Sequence, residues 1–223
     1  MISIFNSKIL DIKYLTKTVK QIKLSVPEGF SFKPGQYVSL TIIKEGKKIR
    51  KPFSIASNPK NNFIELCIKL VKNSETSKYI DNLKKNDEVE LFGPAGKFTI
   101  QNKEKDICFI SMGTGIAPFR SMVLDLLENN FKNKIIIFLG FRNEKNILYK
   151  KDFSKVKIYN ILSQPKGRNY KFKGHVQDFL KEIPKDFKGD FYICGLTEMV
   201  DSTKEKLISL GFEEKNIFVE KYD

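Results

Sequence analysis

From the start of the chain to about residue 100, apolar side chains recur at every second position in short runs: Ile22, Leu24 and Val26; then Val38, Leu40 and Ile42; then Ile64, Leu66, Ile68 and Leu70. A period of two sends alternate side chains to opposite faces of an extended backbone, so these runs predict half-buried strands. Pro27-Glu28-Gly29, Pro34-Gly35, Lys44-Glu45-Gly46, Asn58-Pro59 and Pro94-Ala95-Gly96 separate them with turn chemistry. Short strands at this spacing predict a small antiparallel barrel, interrupted by one helix over residues 74–83, where Tyr79, Ile80 and Leu83 share a face.

After about residue 103 the pattern changes. Ile107-Cys108-Phe109-Ile110, Ile135-Ile136-Ile137-Phe138-Leu139, Ile158-Tyr159-Asn160-Ile161-Leu162 and Phe191-Tyr192-Ile193-Cys194 are continuous apolar runs, which predict strands buried on both faces, as in a parallel sheet. Amphipathic stretches over residues 117–128 and 198–210 fit helices between them. The whole predicts two domains, an antiparallel β-barrel over residues 1–102 and a doubly wound, Rossmann-like α/β domain over residues 103–223.

Composition narrows the chemistry. A chain of 223 residues with 41% hydrophobic and 30% charged positions is long enough for two domains with a core each. No apolar run approaches the roughly 20 residues that cross a bilayer, and the first residues lack an export signal, so the expectation is a cytoplasmic protein with no membrane insertion. Cys67, Cys108 and Cys194 are too far apart in sequence for a CxxC metal site or an iron–sulfur motif, so no metal is expected and redox chemistry requires an organic cofactor. His175 is the single histidine and has no GxSxG context around it, which argues against a hydrolase triad and leaves it a structural or surface residue. The net charge of +14 fits an acidic partner, although lysines are spread through nearly every segment and no nucleic-acid motif accompanies them.

Two segments carry candidate chemistry. Gly113-Thr114-Gly115-Ile116-Ala117-Pro118 follows a predicted buried strand and opens a predicted helix, the setting in which backbone approaches a pyrophosphate and a helix N-terminus stabilises its charge. Pro118 suits a first helical turn. Upstream, Arg50-Lys51-Pro52-Phe53-Ser54-Ile55-Ala56-Ser57 mixes cations, an aromatic ring and hydroxyls within an otherwise apolar barrel pattern.

The run Lys51-Pro52-Phe53-Ser54 resembles the Arg-x-Tyr-Ser flavin signature of the ferredoxin–NADP reductase family. Further resemblances follow in the family's order: Gly93-Pro94-Ala95-Gly96-Lys97-Phe98, the glycine turn continued by Phe119-Arg120-Ser121, Gly140-Phe141-Arg142-Asn143, Cys194-Gly195 with Met199, and the terminal Glu220-Lys221-Tyr222. The resemblance spans nearly the whole chain and implies a flavoprotein oxidoreductase that moves hydride from NADH or NADPH to bound FAD, with FMN the lesser candidate, in a cleft between the domains. It then hands electrons to a separate acceptor such as an acidic ferredoxin or flavodoxin, or a partner subunit.

The same resemblance assigns roles. Ser54 stands by flavin N5 and Phe53 along the ring. Lys51, in place of the family's arginine, pairs with the flavin pyrophosphate without a bidentate fork, and Arg50 can share that task. Thr76 and Ser77 donate at the start of the short helix, where Ser74 replaces a common glycine. Gly113, Thr114, Gly115, Pro118 and Gly195 cradle the nicotinamide nucleotide. Cys194 flanks nicotinamide C4 in a positioning role, against the alternative of a small packed hydrophobe. Glu220 and Tyr222 close the catalytic set, Tyr222 stacking on the flavin and moving aside for nicotinamide, with Asp223 one residue beyond. Ser163 and Gln164 lie where the adenosine ribose is read; Gln164 favours NADH, whereas Lys166 and Arg168 could bind a 2′-phosphate. Arg142 is either a cofactor contact or a solvated loop residue. Two rival functions remain: a reductase that uses flavin as a diffusing substrate, and a non-catalytic basic binding protein.

Overall fold

The alternating runs of the first hundred residues pair into an antiparallel sheet. In the computed structural model, which describes residues 2–44, 46–167 and 170–222, β1 (Ser3–Thr16), β2 (Val19–Ser25), β3 (Tyr37–Lys44), β4 (Lys47–Ser54), β5 (Phe63–Lys69) and β6 (Glu88–Ala95) lie in the order β4-β3-β6-β1-β2-β5. β1 joins β6 through its first half and β2 through its second, so the sheet bends around it. The curl closes just past β4, where Ile55 bridges Leu66 of β5 and the Ala56 N–H donates to the Glu65 carbonyl at 2.8 Å. Ile9, Ile22, Leu24, Val38, Leu40, Ile64 and Leu66 fill the interior.

The expected helix is α1 (Glu75–Asn82), capped by the Ser74 side chain, which accepts from the Ser77 N–H at 3.3 Å. Lys20 of β2 fastens its far end, its ammonium lying 2.7 Å from an Asp81 carboxylate oxygen and donating to the Asp81 carbonyl. β4, an edge strand of the hydrogen-bonded order, tolerates Pro52 because no further strand needs its missing N–H.

The continuous apolar runs form a five-stranded parallel sheet from β7 (Ile107–Met112), β8 (Ile135–Phe141), β9 (Lys157–Leu162), β10 (Asp190–Leu196) and β11 (Ile217–Tyr222), in the order β11-β10-β7-β8-β9. α2 (Ile116–Glu128) connects β7 to β8 and α3 (Thr197–Ser209) connects β10 to β11. Parallel strands on both sides of β10, β7 and β8 explain why their sequences carry no alternation: each strand is buried on both faces.

Three strands escaped the sequence pattern, β6 among them because its last residues, Pro94 and Ala95, read as turn chemistry. β1 buries only Ser7 and Ile9, and its pairing with β2 slips between Ile9 and Asp11 and again between Tyr14 and Thr16, which erases a steady period of two. β11 is an edge strand that buries Ile217 alone. The glycine turn opens less directly into a helix than expected, since Gly113–Gly115 forms a tight 3₁₀ turn before α2 begins, and Pro118 then sits in the first turn of α2.

The chain resolves into two compact units, one of residues 1–99 with 117–125 and the other of residues 100–116 with 126–223. Most of α2 therefore belongs with the barrel although it follows β7 in sequence. Phe119 lies 6.0 Å from Phe98, ring to ring, and a Cβ on Gly35 would collide with the Phe98 carbonyl oxygen and with the Met122 methyl.

Candidate flavin and nicotinamide sites

In the first unit the signature strand is β4. Its pairing with β3 runs without a slip from Lys47 to Ser54, so its side chains alternate faces. Arg50 and Lys51 accordingly point to opposite sides. The Arg50 guanidinium lies 4.7 Å from the centre of the Phe92 ring, while Lys51 is exposed and has no hydrogen bond or ion pair among the described residues. Pro52 is exposed, Phe53 packs against the barrel core while keeping part of its ring accessible, and Ser54 is 6% exposed opposite Tyr37.

Of the two residues at the start of α1, the Ser77 hydroxyl is buried and accepts the Val71 N–H at 2.8 Å, which fastens the loop entering the helix. Thr76 is only half-buried. Ser74 caps the Ser77 N–H, and no side chain caps the first-turn N–H groups of Glu75 and Thr76 among the described residues. An exposed cation, a half-buried hydroxyl, a helix N-terminus, a partly accessible aromatic ring and a nearly buried serine are group types that could hold a dinucleotide flavin.

In the second unit the strand order places β7 and β10 side by side at the point where the connections change direction. Both candidate glycine segments leave the carboxyl ends of these two strands. Gly113 adopts φ +56° with open space where a side chain would stand, and a Cβ at Gly115 would lie 2.4 Å from the Cys194 carbonyl oxygen. The turn thus rests directly on the backbone of β10, and only glycine at 115 permits that approach. Thr114 is half-buried on this turn. A glycine turn between a strand end and a helix start is the kind of place where a pyrophosphate could be held. Ser111, opposite Cys194 in register, buries a hydroxyl without a partner among the described residues.

β11 brings the chain end to the same edge. Glu220 pairs with Cys194, Lys221 with Gly195 and Tyr222 with Leu196. Cys194 is fully buried, and that burial, reinforced by the Glu220 charge and opposed by a hydrogen bond from Tyr222, pushes its thiol well above the usual range. The structure therefore gathers Cys194, Gly195, Glu220 and Tyr222 with the glycine turn.

At the ends of β8 and β9, Arg142 donates from Nε to the Gln164 side-chain oxygen at 2.9 Å, and the Gln164 N–H donates to the Arg142 carbonyl at 2.7 Å. Ser163 is exposed beside them, its N–H bonded to the Phe141 carbonyl at 3.0 Å. Arg168 lies outside the described residues. Glu144, which no motif marks, accepts the N–H groups of Lys166 and Gly167 on its carboxylate at 3.1 and 3.2 Å. Those bonds, with one from its own N–H, hold its carboxyl below the usual range. Arg120, which follows the glycine turn in sequence, is half-buried in an ion pair with Glu65. His175 is exposed and its N–H donates to Asp178 at 2.7 Å, a local turn contact.

Known proteins carry the same organisation. Residues 7–100 match the oxidoreductase FAD-binding domain family and residues 109–205 the oxidoreductase NAD-binding domain family. The chain is 34% identical over 230 residues to the gamma subunit of sulfhydrogenase 1 from Pyrococcus furiosus, covering 95% of this chain and 77% of that one. It is 32% identical over 227 residues to the reductase component of phenol 2-monooxygenase from Pseudomonas sp. strain CF600, covering 93% of this chain and 62% of that one, so it spans under two thirds of that relative's length. Its backbone superposes with a TM-score of 0.86, at 19% identity and 98% coverage of both chains, on a ferredoxin NADP+ reductase from Neisseria gonorrhoeae with bound FAD and NADP. With an FAD-binding barrel followed by an NAD-binding parallel sheet, and these relatives along nearly its full length, the chain belongs to the ferredoxin–NADP reductase-like family of flavin-dependent oxidoreductases.

Proposed function

We propose that the protein oxidises NADH in preference to NADPH through tightly held FAD and delivers the electrons to a separate acidic protein or partner subunit. The observation that carries the reading is the junction of the glycine turn with Cys194 in the second unit, where a side chain at Gly115 would stand 2.4 Å from the Cys194 carbonyl oxygen. Bound FAD supplies acceptance of a hydride at N5 from nicotinamide C4 and its onward release as single electrons or pairs. The protein's part is binding, orientation and exclusion of water.

Lys51, Thr76 and the start of α1 are proposed to hold the flavin pyrophosphate, Phe53 to support the ring, and Ser54 to place a hydrogen bond at N5. Gly113, Thr114 and Gly115 receive the nucleotide pyrophosphate, and Pro118 fixes the first turn of α2 behind them. Cys194 stays a neutral thiol that packs beside nicotinamide, since deprotonation in its buried position is disfavoured. Glu220 and Tyr222 line the same edge, Tyr222 through its bond to Cys194.

The preference for NADH rests on Glu144 and Gln164. The Glu144 carboxylate takes the N–H groups of Lys166 and Gly167, and its charge repels a 2′-phosphate in that loop. Arg142, held by Gln164, and Ser163 are left to meet an unphosphorylated ribose. The acidic acceptor is supported by the +14 net charge and by relatives named as a reductase component and as a gamma subunit. No nucleic acid has a place in this reading. Among the described residues no helix is long and apolar enough to cross a membrane, and a cytoplasmic location is part of the proposal.

Anaerobic rapid mixing of the purified protein with NADH or NADPH, followed through flavin absorbance, tests the reading. Fast bleaching of co-purified flavin by NADH, and slower bleaching by NADPH, is expected. A colourless protein that oxidises NADH only with added free flavin turns the flavin into a substrate. A protein that binds neither FAD nor FMN and oxidises neither nucleotide overturns the proposal.

A further inference from the structure

The segment that follows the signature strand is fastened more firmly than a loop at a barrel rim requires. Ile55, Ala56 and Ser57 are each fully buried. Ala56 donates its N–H to the Glu65 carbonyl at 2.8 Å, and the Glu65 N–H donates to the Ser57 hydroxyl at 3.1 Å. One nitrogen of the Arg120 guanidinium then spans both strands, donating to the Ala56 carbonyl at 2.9 Å and to the Glu65 carboxylate at 2.6 Å. Gln21 of β2 donates to the other Glu65 oxygen at 2.5 Å. The two charged side chains are 13% and 12% exposed, so the pair is largely withdrawn from water.

A buried ion pair seldom adds net stability over apolar side chains of similar volume, because desolvation offsets the Coulombic gain. This one does something that apolar packing cannot: it ties down a specific carbonyl in the seam where the barrel closes, two residues beyond Ser54. The planar guanidinium carries several donors in fixed directions, which suits a residue that must serve a carboxylate and a carbonyl together.

We propose that Arg120, supported by Glu65 and Gln21, is a positioning residue that sets the backbone of Ser54–Ser57 and through it the flavin affinity and flavin environment. The inference rests on the FAD reading of this barrel. Arg120 acts through the Ala56 carbonyl.

The test uses full-length Arg120→Met, Arg120→Lys and the double variant Arg120→Met/Glu65→Leu, with FAD as the titrant. Flavin fluorescence gives the FAD dissociation constant, the visible spectrum reports the ring environment, and thermal unfolding of the flavin-free proteins reports the fold. Arg120→Met is expected to weaken FAD binding on the order of tenfold or more and to shift the visible bands, with KM for NADH within about twofold at saturating FAD. Arg120→Lys, which keeps the charge but not the fork, should recover part of the affinity. The double variant should regain the wild-type unfolding temperature while FAD binding stays weak, and it carries the test if Arg120→Met alone fails to fold. Folded variants with wild-type FAD affinity and spectrum, or a double variant in which affinity returns along with stability, overturn the positioning role. A wild-type protein that binds no FAD removes the functional reading, and this inference falls with it.

Discussion

Identical residue types acquire different chemistry here from their surroundings. All three cysteines are buried, and none forms a disulfide among the described residues. Burial raises the Cys108 thiol, and raises Cys194 with help from Glu220, so both stay protonated well above neutrality. The native protein is therefore expected to react negligibly with a thiol-specific disulfide reagent at pH 7 to 9, and to titrate all three thiols once unfolded. A rapidly labelled Cys194 in the native state would show that this edge opens. Glu144 owes its low carboxyl value to its own backbone N–H and to those of Lys166 and Gly167, and replacing it with Gln or Lys removes the charge proposed to repel a 2′-phosphate. Glu144→Lys should move the ratio of kcat/KM for NADPH over NADH by about tenfold or more toward NADPH. An unchanged ratio would place the nucleotide-reading residues elsewhere.

Single elements depend on contacts at their ends. α1 is a helix of 8 residues, too short to persist without caps and packing, and Ser74 with Lys20 supplies them. Ser74→Ala should cost about 1 kcal/mol in urea unfolding, a typical loss for an N-cap. At the other end Asp81 binds Lys20 and accepts from Tyr14, and the Lys20 bond, the larger effect, lowers its carboxyl below the usual range. Its folded value is lower than its unfolded one. The stabilisation is therefore complete above the ordinary carboxylate range and is lost as pH falls through it. Wild type should lose more stability on acidification across that range than Asp81→Asn, as measured by urea midpoints; parallel profiles would show that the contact contributes nothing.

At the scale of the whole molecule, most of α2 completes the barrel unit although the sequence places it after β7. A fragment ending at residue 102 removes Phe119 from Phe98 and Arg120 from the barrel seam. It is expected to bind FAD weakly and to expose apolar surface to a hydrophobic dye. The full chain should do neither. A well-folded 1–102 fragment with full FAD affinity would make the helix dispensable to the barrel, and would set the boundary where the change of periodicity alone puts it.

The sequence by itself determined the class of each half, because alternation and continuous apolar runs are local consequences of burial on one face or two. It also marked the glycine turn, by its place between a continuous apolar run and an amphipathic stretch, and the approximate span of α1, by the face that Tyr79, Ile80 and Leu83 share. It was silent on β1, whose slipped pairing erases its period, on β6, whose Pro94-Ala95 end reads as a turn, and on β11, which buries a single residue. What only the tertiary structure decided were pairings between distant positions: Glu144 with the N–H groups of Lys166 and Gly167, Arg120 with Glu65 and Ala56, Tyr222 with Cys194. Nothing local marks those partners. Each pairing follows from the order in which the strands lie and the register that aligns them, so it exists only once the sheets have formed.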